Sequence, residues 1–175
     1  MPGYIQALLT HIKHPMPHCT QYSPIVDHIQ TNTIIPTYTT AQIQVIVGSL
    51  LYYQRMIDPT IGLAVSRISQ DMIDPTQHTQ QTIMHLLNHV ATHQNIYNTH
   101  YASGIKLRAY ADAAYLNEPK ARSRYACHIY LTGTREQDEP DLPNCGILTV
   151  TKPIKHVVTS PTEAEYTGIY HTIRR

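Results

Sequence analysis

Hydrophobic residues between positions 39 and 93 recur with the i, i+3, i+4, i+7 spacing of one face of an amphipathic helix. Two Asp-Pro-Thr triplets, at 58–60 and 74–76, divide this pattern into three stripes. The stripes are Ile43, Ile46, Val47, Leu50 and Leu51, then Ile61, Ala64, Val65, Ile68 and Met72, then Ile83, Leu86, Leu87 and Val90. Asp is a good N-cap and Pro a good first helical residue. The pattern therefore predicts three helices, the first capped by Thr39 or Thr40 and the third by Asp74.

The hydrophobic spacing changes to two after position 100. Apolar residues alternate over 105–112 with Lys106, Arg108, Tyr110 and Asp112. This is the pattern of a strand with one face on a core. Similar runs predict a second strand at 125–131 and a third at 146–151. The sequence SPTE at 160–163 is a capping box with Pro at the first helical position, and it predicts a helix that continues to near the C-terminus.

These elements predict an α+β fold class and three regions. Residues 1–38 contain five prolines and only a short helical pattern near 4–13, and are predicted to form an extended arm or linker. Residues 39–100 are predicted to be a helical segment. Residues 101–175 are predicted to be a partial domain of three antiparallel strands and one helix.

The composition allows a buried core and excludes several classes of protein. The chain has 175 residues, of which 42% are hydrophobic and 14% charged, so general disorder is excluded. The longest apolar stretch, 45–53, is about half the length of a membrane-spanning helix, so no membrane partner is expected. A secretory signal pattern is not visible and the three cysteines are widely spaced. An intracellular, reduced setting is the expectation.

The net charge of +1 does not itself indicate a partner. The basic residues are nevertheless concentrated in the predicted sheet, and the densest group is Lys106, Arg108, Lys120, Arg122 and Arg124. Such a group is able to contact a phosphate backbone. The alternative interpretation is an ordinary solvated strand face and turn.

Two carboxylates are the main candidates for chemistry. Asp112 ends the polar face of the first predicted strand, and Glu165 lies in the first turns of the last predicted helix. If that helix packs on the sheet, the two side chains are able to converge and bind Mg²⁺, which prefers carboxylates, water and phosphate. Two such ions support phosphodiester cleavage. The alternative is that Glu163 and Glu165 interact with the helix dipole.

Two groups of histidines have the spacing of possible metal ligands. His85, His89 and His93 are four residues apart in the third helix, but the expectation is a polar, solvent-exposed face. A second group, His11, His14, His18 and Cys19, lies in the proline-rich arm without a second ligand cluster.

Cys127 and Cys145 lie in strand-like runs, where cysteines are usually inert. The isolated glycines Gly48 and Gly62 are expected at close-packing points.

Several short motifs follow one another along the chain: VGSLLYY at 47–53, IDP at 57–59, AVS at 64–66, YADA at 110–113, KARSR at 120–124 and SPTEAEY at 160–166. In order and spacing they resemble copia-type retrotransposon polyproteins. The first three resemble the end of the reverse transcriptase. The last three resemble landmarks of the attached ribonuclease H domain.

This resemblance implies a reverse transcriptase thumb or connection segment over 39–100 and a ribonuclease H-like domain over 101–175. It implies that Asp112 and Glu165 are catalytic residues that bind Mg²⁺, with two ions in the intact family, and cleave the RNA strand of an RNA–DNA hybrid. The implied partners are such a hybrid or another nucleic acid, and the rest of the polyprotein. Glu163 corresponds to a non-catalytic Glu of the family.

The sequence also departs from the family pattern. It ends ten residues after Glu165 without a further acid, whereas the family has later metal-binding carboxylates. We therefore expect a ribonuclease H-like fragment, truncated after its first helix and inactive or nearly so alone. The acidic loop residues Asp138, Glu139 and Asp141 are not expected to replace a lost ligand. One alternative is a non-enzymatic nucleic-acid binder that uses the five basic residues, and another is a decayed insertion without function.

Overall fold

The computed structural model describes residues 3–15, 24, 37–102, 105–133 and 144–174. The chain divides into two compact units, Met1–Tyr97 and Asn98–Arg175, called here the helical unit and the sheet unit. Within the described ranges, the protein contains five α-helices and a three-stranded antiparallel sheet. The α+β fold class predicted from the sequence is confirmed.

The helical unit contains four α-helices in the described residues. They are α1 (Tyr4–His11), α2 (Thr40–Met56), α3 (Gly62–Asp71) and α4 (Gln77–Thr92). A short 3₁₀-helix, Pro59–Ile61, connects α2 to α3. The three helices predicted between 39 and 93 are therefore present.

Side-chain caps determine where these helices begin. Thr39 and Gln42 form a capping box at the start of α2, and the Asp58 carboxylate accepts a hydrogen bond from the backbone N–H of Thr60. The prediction that Asp74 caps the third helix is wrong. Thr76 is the N-cap of α4, and its hydroxyl accepts from the N–H of Thr79. A hydroxyl can satisfy the free N–H groups of a first turn as well as a carboxylate does.

The helical unit has one continuous hydrophobic core, and it includes the helix predicted to lie in an extended arm. Ile5, Leu8, Leu9 and Ile12 are buried in the same cluster as the helical stripes of α2, α3 and α4. Residues 4–12 of the predicted arm therefore pack as part of the helical unit, whereas most of 16–36 lies outside the described residues. The amphipathic spacing of this short helix, rather than the prolines that follow it, decides its position.

Gly48 does not mark a close contact. A Cβ placed on this glycine would have no atom within 4 Å, so the expectation of close packing at this position is wrong. Gly62 is buried at the start of α3.

The sheet unit contains β1 (Lys106–Glu118), β2 (Arg122–Thr132) and β3 (Gly146–Pro153), in the spatial order β1-β2-β3. Both neighbouring pairs are antiparallel. Each strand is longer than the hydrophobic alternation predicted. Asp112, which pairs with Ala126, therefore lies in the middle of β1 rather than at its end.

The last helix, α5 (Pro161–Ile173), begins where the sequence predicts. The hydroxyl of Ser160 accepts a hydrogen bond from the N–H of Glu163, which is one half of the predicted capping box. The other half differs, because the Glu163 carboxylate accepts from the backbone N–H and the hydroxyl of Thr159, both at 2.7 Å. The backbone hydrogen bond from Thr159, followed by that from its hydroxyl, lowers the pKa of Glu163.

The sheet unit has a small apolar core and a buried ion pair. Its core consists of Tyr125, Ile154, Val158 and Ala164. Near the β1–β2 hairpin, the Nε of Arg124 lies 2.7 Å from a carboxylate oxygen of Glu118, and both side chains are buried. Buried charges of this kind need each other, because neither retains its hydration shell.

Candidate functional site

The helix α5 covers one face of the sheet. A Cβ placed on Gly168 would lie 3.6 Å from the backbone oxygen of Asp112, 3.7 Å from the Cβ of Ala113 and 3.4 Å from the Cβ of Tyr125. The Tyr125 ring stacks on His171 of α5, with 5.0 Å between the ring centres. Because Ala113 and Tyr125 pair across β1 and β2, their side chains define the face that α5 covers.

We call the opposite side of the sheet the open face. Successive side chains of a strand point to opposite faces, so the neighbours of Ala113 in β1 and their partners lie on this side. The open face includes Lys106, Arg108, Tyr110 and Asp112 from β1, Ala126, His128 and Tyr130 from β2, and Thr149 and Thr151 from β3. Arg124 and Thr132 of β2 lie on the same side and are buried. The four β1 members and Ala126 are exposed.

The two candidate catalytic carboxylates lie on different sides of the sheet. The backbone of Asp112 is close to α5, but its side chain belongs to the open face. Glu165 is an exposed residue of α5, which packs on the other face. The placement therefore does not support the magnesium site that the resemblance implies.

The described part of the chain contains no group of three or more His, Cys, Asp and Glu side chains that could hold a metal ion. His18, Cys19 and the acidic loop residues Asp138, Glu139 and Asp141 lie outside the described residues.

His89 is buried and stacks against His93, with 4.4 Å between the ring centres. The expectation that the α4 histidines form a solvent-exposed face is therefore wrong for His89.

His14 has a structural position in the helical unit. Its Nε2 lies 2.8 Å from the Oδ1 of Asn88 on α4, and its Nδ1 lies 2.6 Å from the hydroxyl of Tyr38. Burial lowers the pKa of His14 against the opposing effect of the Asn88 hydrogen bond. Both ring nitrogens therefore connect elements of the protein, and it is burial that favours the neutral imidazole.

The five basic residues do not form one patch. Lys106 and Arg108 lie together at the start of β1, whereas Lys120 and Arg122 lie at the β1–β2 hairpin, roughly 30 Å away along the strand. All four side chains are exposed. Arg124 is only 5% exposed and pairs with Glu118, so its position does not support the expected contact with nucleic acid.

Sequence reasoning missed the aromatic residues of the open face. Tyr110 and Tyr130 stack with 5.7 Å between ring centres, and His128 lies 5.6 Å from Tyr130. The alternation that placed Tyr110 on the polar side of β1 was one available signal. Its partners on β2 were not predictable, because they depend on the register of the two strands.

The chain matches no protein-family model, no curated protein and no solved structure. Among the helices that the structure describes, none is long and apolar enough to cross a membrane. The relationship to copia-type polyproteins accordingly stays a prediction from the sequence motifs.

Proposed function

We propose that the sheet unit binds nucleic acid through its open face and does not cleave it. The observation that carries this proposal is the arrangement of β1, where exposed Lys106 and Arg108 lie on the same face as the exposed ring of Tyr110. Lys and Arg side chains neutralise phosphates, and aromatic rings stack on bases. The sequence resemblance to a ribonuclease H-like fragment supports the same class of ligand.

The position of the carboxylates supports binding without cleavage. Phosphoryl transfer by two metal ions requires carboxylates that converge on one site. Asp112 and Glu165 are associated with opposite faces of the sheet. Asp112 therefore acts here as a negative charge at one end of the binding face, which directs phosphates towards Lys106 and Arg108.

The test is fluorescence anisotropy of the full chain with labelled oligonucleotides between about 50 and 200 mM salt, the range over which phosphate contacts weaken strongly. The double variant Lys106→Gln/Arg108→Gln should bind more weakly and lower the slope of log K against log salt by about 1.4 for a single strand. The matched control is Lys13→Gln/Arg55→Gln, which removes two exposed charges from the helical unit. It should bind like the wild type.

The variant Asp112→Asn distinguishes binding without cleavage from a catalytic role of Asp112. Without the repulsion between this carboxylate and phosphates, the variant should bind as tightly as the wild type or more tightly. Wild-type chain that cleaves an RNA–DNA hybrid in Mg²⁺ or Mn²⁺, with the cleavage abolished by Asp112→Asn, would overturn the proposal. Equal binding by the wild type and the Lys106→Gln/Arg108→Gln variant would also overturn it.

A further inference from the structure

Three aromatic rings contact one another on the open face. Tyr110 and Tyr130 are nearly parallel, with 23° between their planes, and Tyr130 contacts His128. Tyr130 is 4% exposed, whereas Tyr110 is 63% exposed. The exposed ring of Tyr110 therefore stacks on the buried ring of Tyr130, which in turn contacts the half-buried ring of His128.

The supporting rings are held in place by their neighbours. The Nδ1 of His128 lies 2.8 Å from the hydroxyl of Thr149 on β3. Gly146, which pairs with Tyr130, leaves the space that the His128 ring occupies, since a Cβ at this position would collide with that ring. Such a fixed aromatic surface loses little conformational entropy when a ligand binds to it.

The charges beside Tyr110 fit a ligand that stacks one ring on Tyr110 and carries a chain of phosphates next to that ring. Arg108 and Lys106 follow Tyr110 on the same face of β1, at successive steps of about 6.6 Å. Asp112 lies on the other side of Tyr110 and repels phosphates. A ligand that stacks on Tyr110 therefore has its phosphates attracted in one direction along the strand.

We propose that the open face binds single-stranded nucleic acid, with an unpaired base stacked on Tyr110 and the adjacent phosphates on Arg108 and Lys106. This inference rests on the proposed function and specifies its ligand. The bases of a duplex are already covered on both sides by their neighbours, so the flat ring of Tyr110 is accessible only to a base that has left the stack.

The experiment measures binding of the full chain to four probes of equal length: single-stranded DNA, single-stranded RNA, duplex DNA and an RNA–DNA hybrid. We expect single strands to bind at least about fivefold more tightly than duplex or hybrid, which is the minimum contribution of one stacked base. Comparing the two single-stranded probes shows whether the open face prefers DNA or RNA. Preference for either of them over both paired probes supports the proposal.

Substitutions of Tyr110 test the stacking itself. Tyr110→Phe keeps the ring and should retain single-strand binding, whereas Tyr110→Leu keeps the apolar bulk and should lose about fivefold or more. Tyr166→Leu is the matched control, because it changes an exposed tyrosine on α5. Circular dichroism should be unchanged in all three variants, since both tyrosines are exposed.

The outcomes separate the two proposals. If paired probes bind as tightly as single strands, or if Tyr110→Leu binds single strands like the wild type, the single-strand proposal is overturned. Should those paired probes still depend on Lys106 and Arg108, the proposed function stands. If no probe binds, both proposals fail.

Discussion

The helical unit and the sheet unit are stabilised in different ways. Nineteen described hydrophobic residues form the buried core of the helical unit, whereas four form that of the sheet unit. Both units bury polar side chains, and those of the sheet unit include the oppositely charged pair Glu118 and Arg124. The stability gained by burying an apolar side chain does not depend on one specific neighbour. A buried charge, by contrast, is strongly destabilising when its charged partner is removed. Stability in the sheet unit should therefore be concentrated in fewer interactions.

The largest effect is expected from Glu118→Ala. Removal of this carboxylate leaves the charge of Arg124 buried without its counter-ion, which costs about 3–5 kcal/mol. Hydrogen exchange of the β1 and β2 amides measures the loss. The control Glu165→Ala removes an exposed carboxylate and should change stability by less than about 0.5 kcal/mol. A similar small effect for Glu118→Ala would show that the pair does not stabilise the sheet.

A second large effect is expected in the helical unit. Leu87 is fully buried in the core, and Leu87→Ala should reduce the free energy of unfolding by about 2–5 kcal/mol through lost burial and a new cavity. Urea unfolding followed by circular dichroism measures it. Ile73→Ala, at an exposed position of the same unit, is the control. Equal effects of the two substitutions would contradict the described core.

The glycines of the two units allow a finer comparison. Gly48→Ala should stabilise α2 by about 0.5–1 kcal/mol, because alanine favours the helix and the added Cβ meets no atom within 4 Å. Gly168→Ala should gain less, since its Cβ would lie 3.4 Å from that of Tyr125. Thermal unfolding measures both. Destabilisation by Gly48→Ala would show a contact that the structure does not contain.

The smallest effect concerns pH and the helical unit. Burial places the pKa of His14 below its ordinary value of 6.5, so the unfolded chain takes up a proton more readily than the folded one. The stability that depends on neutral His14 is therefore complete above pH 6.5 and is lost as the pH falls towards the folded-state pKa.

Urea unfolding at a series of pH values compares the wild type with His14→Gln, which should show the weaker pH dependence over this range. His78→Gln, at an exposed position of α4, is the control for the loss of one histidine. If the free energy of unfolding fell equally with decreasing pH in the wild type and in His14→Gln, His14 would not be the source of the pH dependence.

Local sequence patterns were sufficient for most of the fold. The helices of the first unit, the three strands and the start of α5 follow from hydrophobic spacing, prolines and capping residues. Some errors were local, such as the N-cap of α4 and the ends of the strands, and others arose where two distant parts of the chain meet. Neither the burial of α1 nor the pairing of Glu118 with Arg124 has a local signal, because each depends on tertiary packing.

The candidate site was predictable only in part. Alternation placed Lys106, Arg108, Tyr110 and Asp112 on one side of β1, and the structure confirms that grouping. Which side α5 covers is decided by the close approach of Gly168 to the sheet, and a sequence motif does not contain that information. For this reason the strand was predictable, whereas the meeting of Asp112 and Glu165 stays a prediction that their placement on different sides of the sheet does not support.

The most direct test of the open face is a chemical-shift map of the ¹⁵N-labelled full chain titrated with a short single-stranded oligonucleotide. The account predicts that the largest changes occur at Lys106, Arg108 and Tyr110, together with their β2 partners, and that Tyr166 and Glu165 on α5 hardly change. Changes centred on α5, with none in the first half of β1, would contradict it.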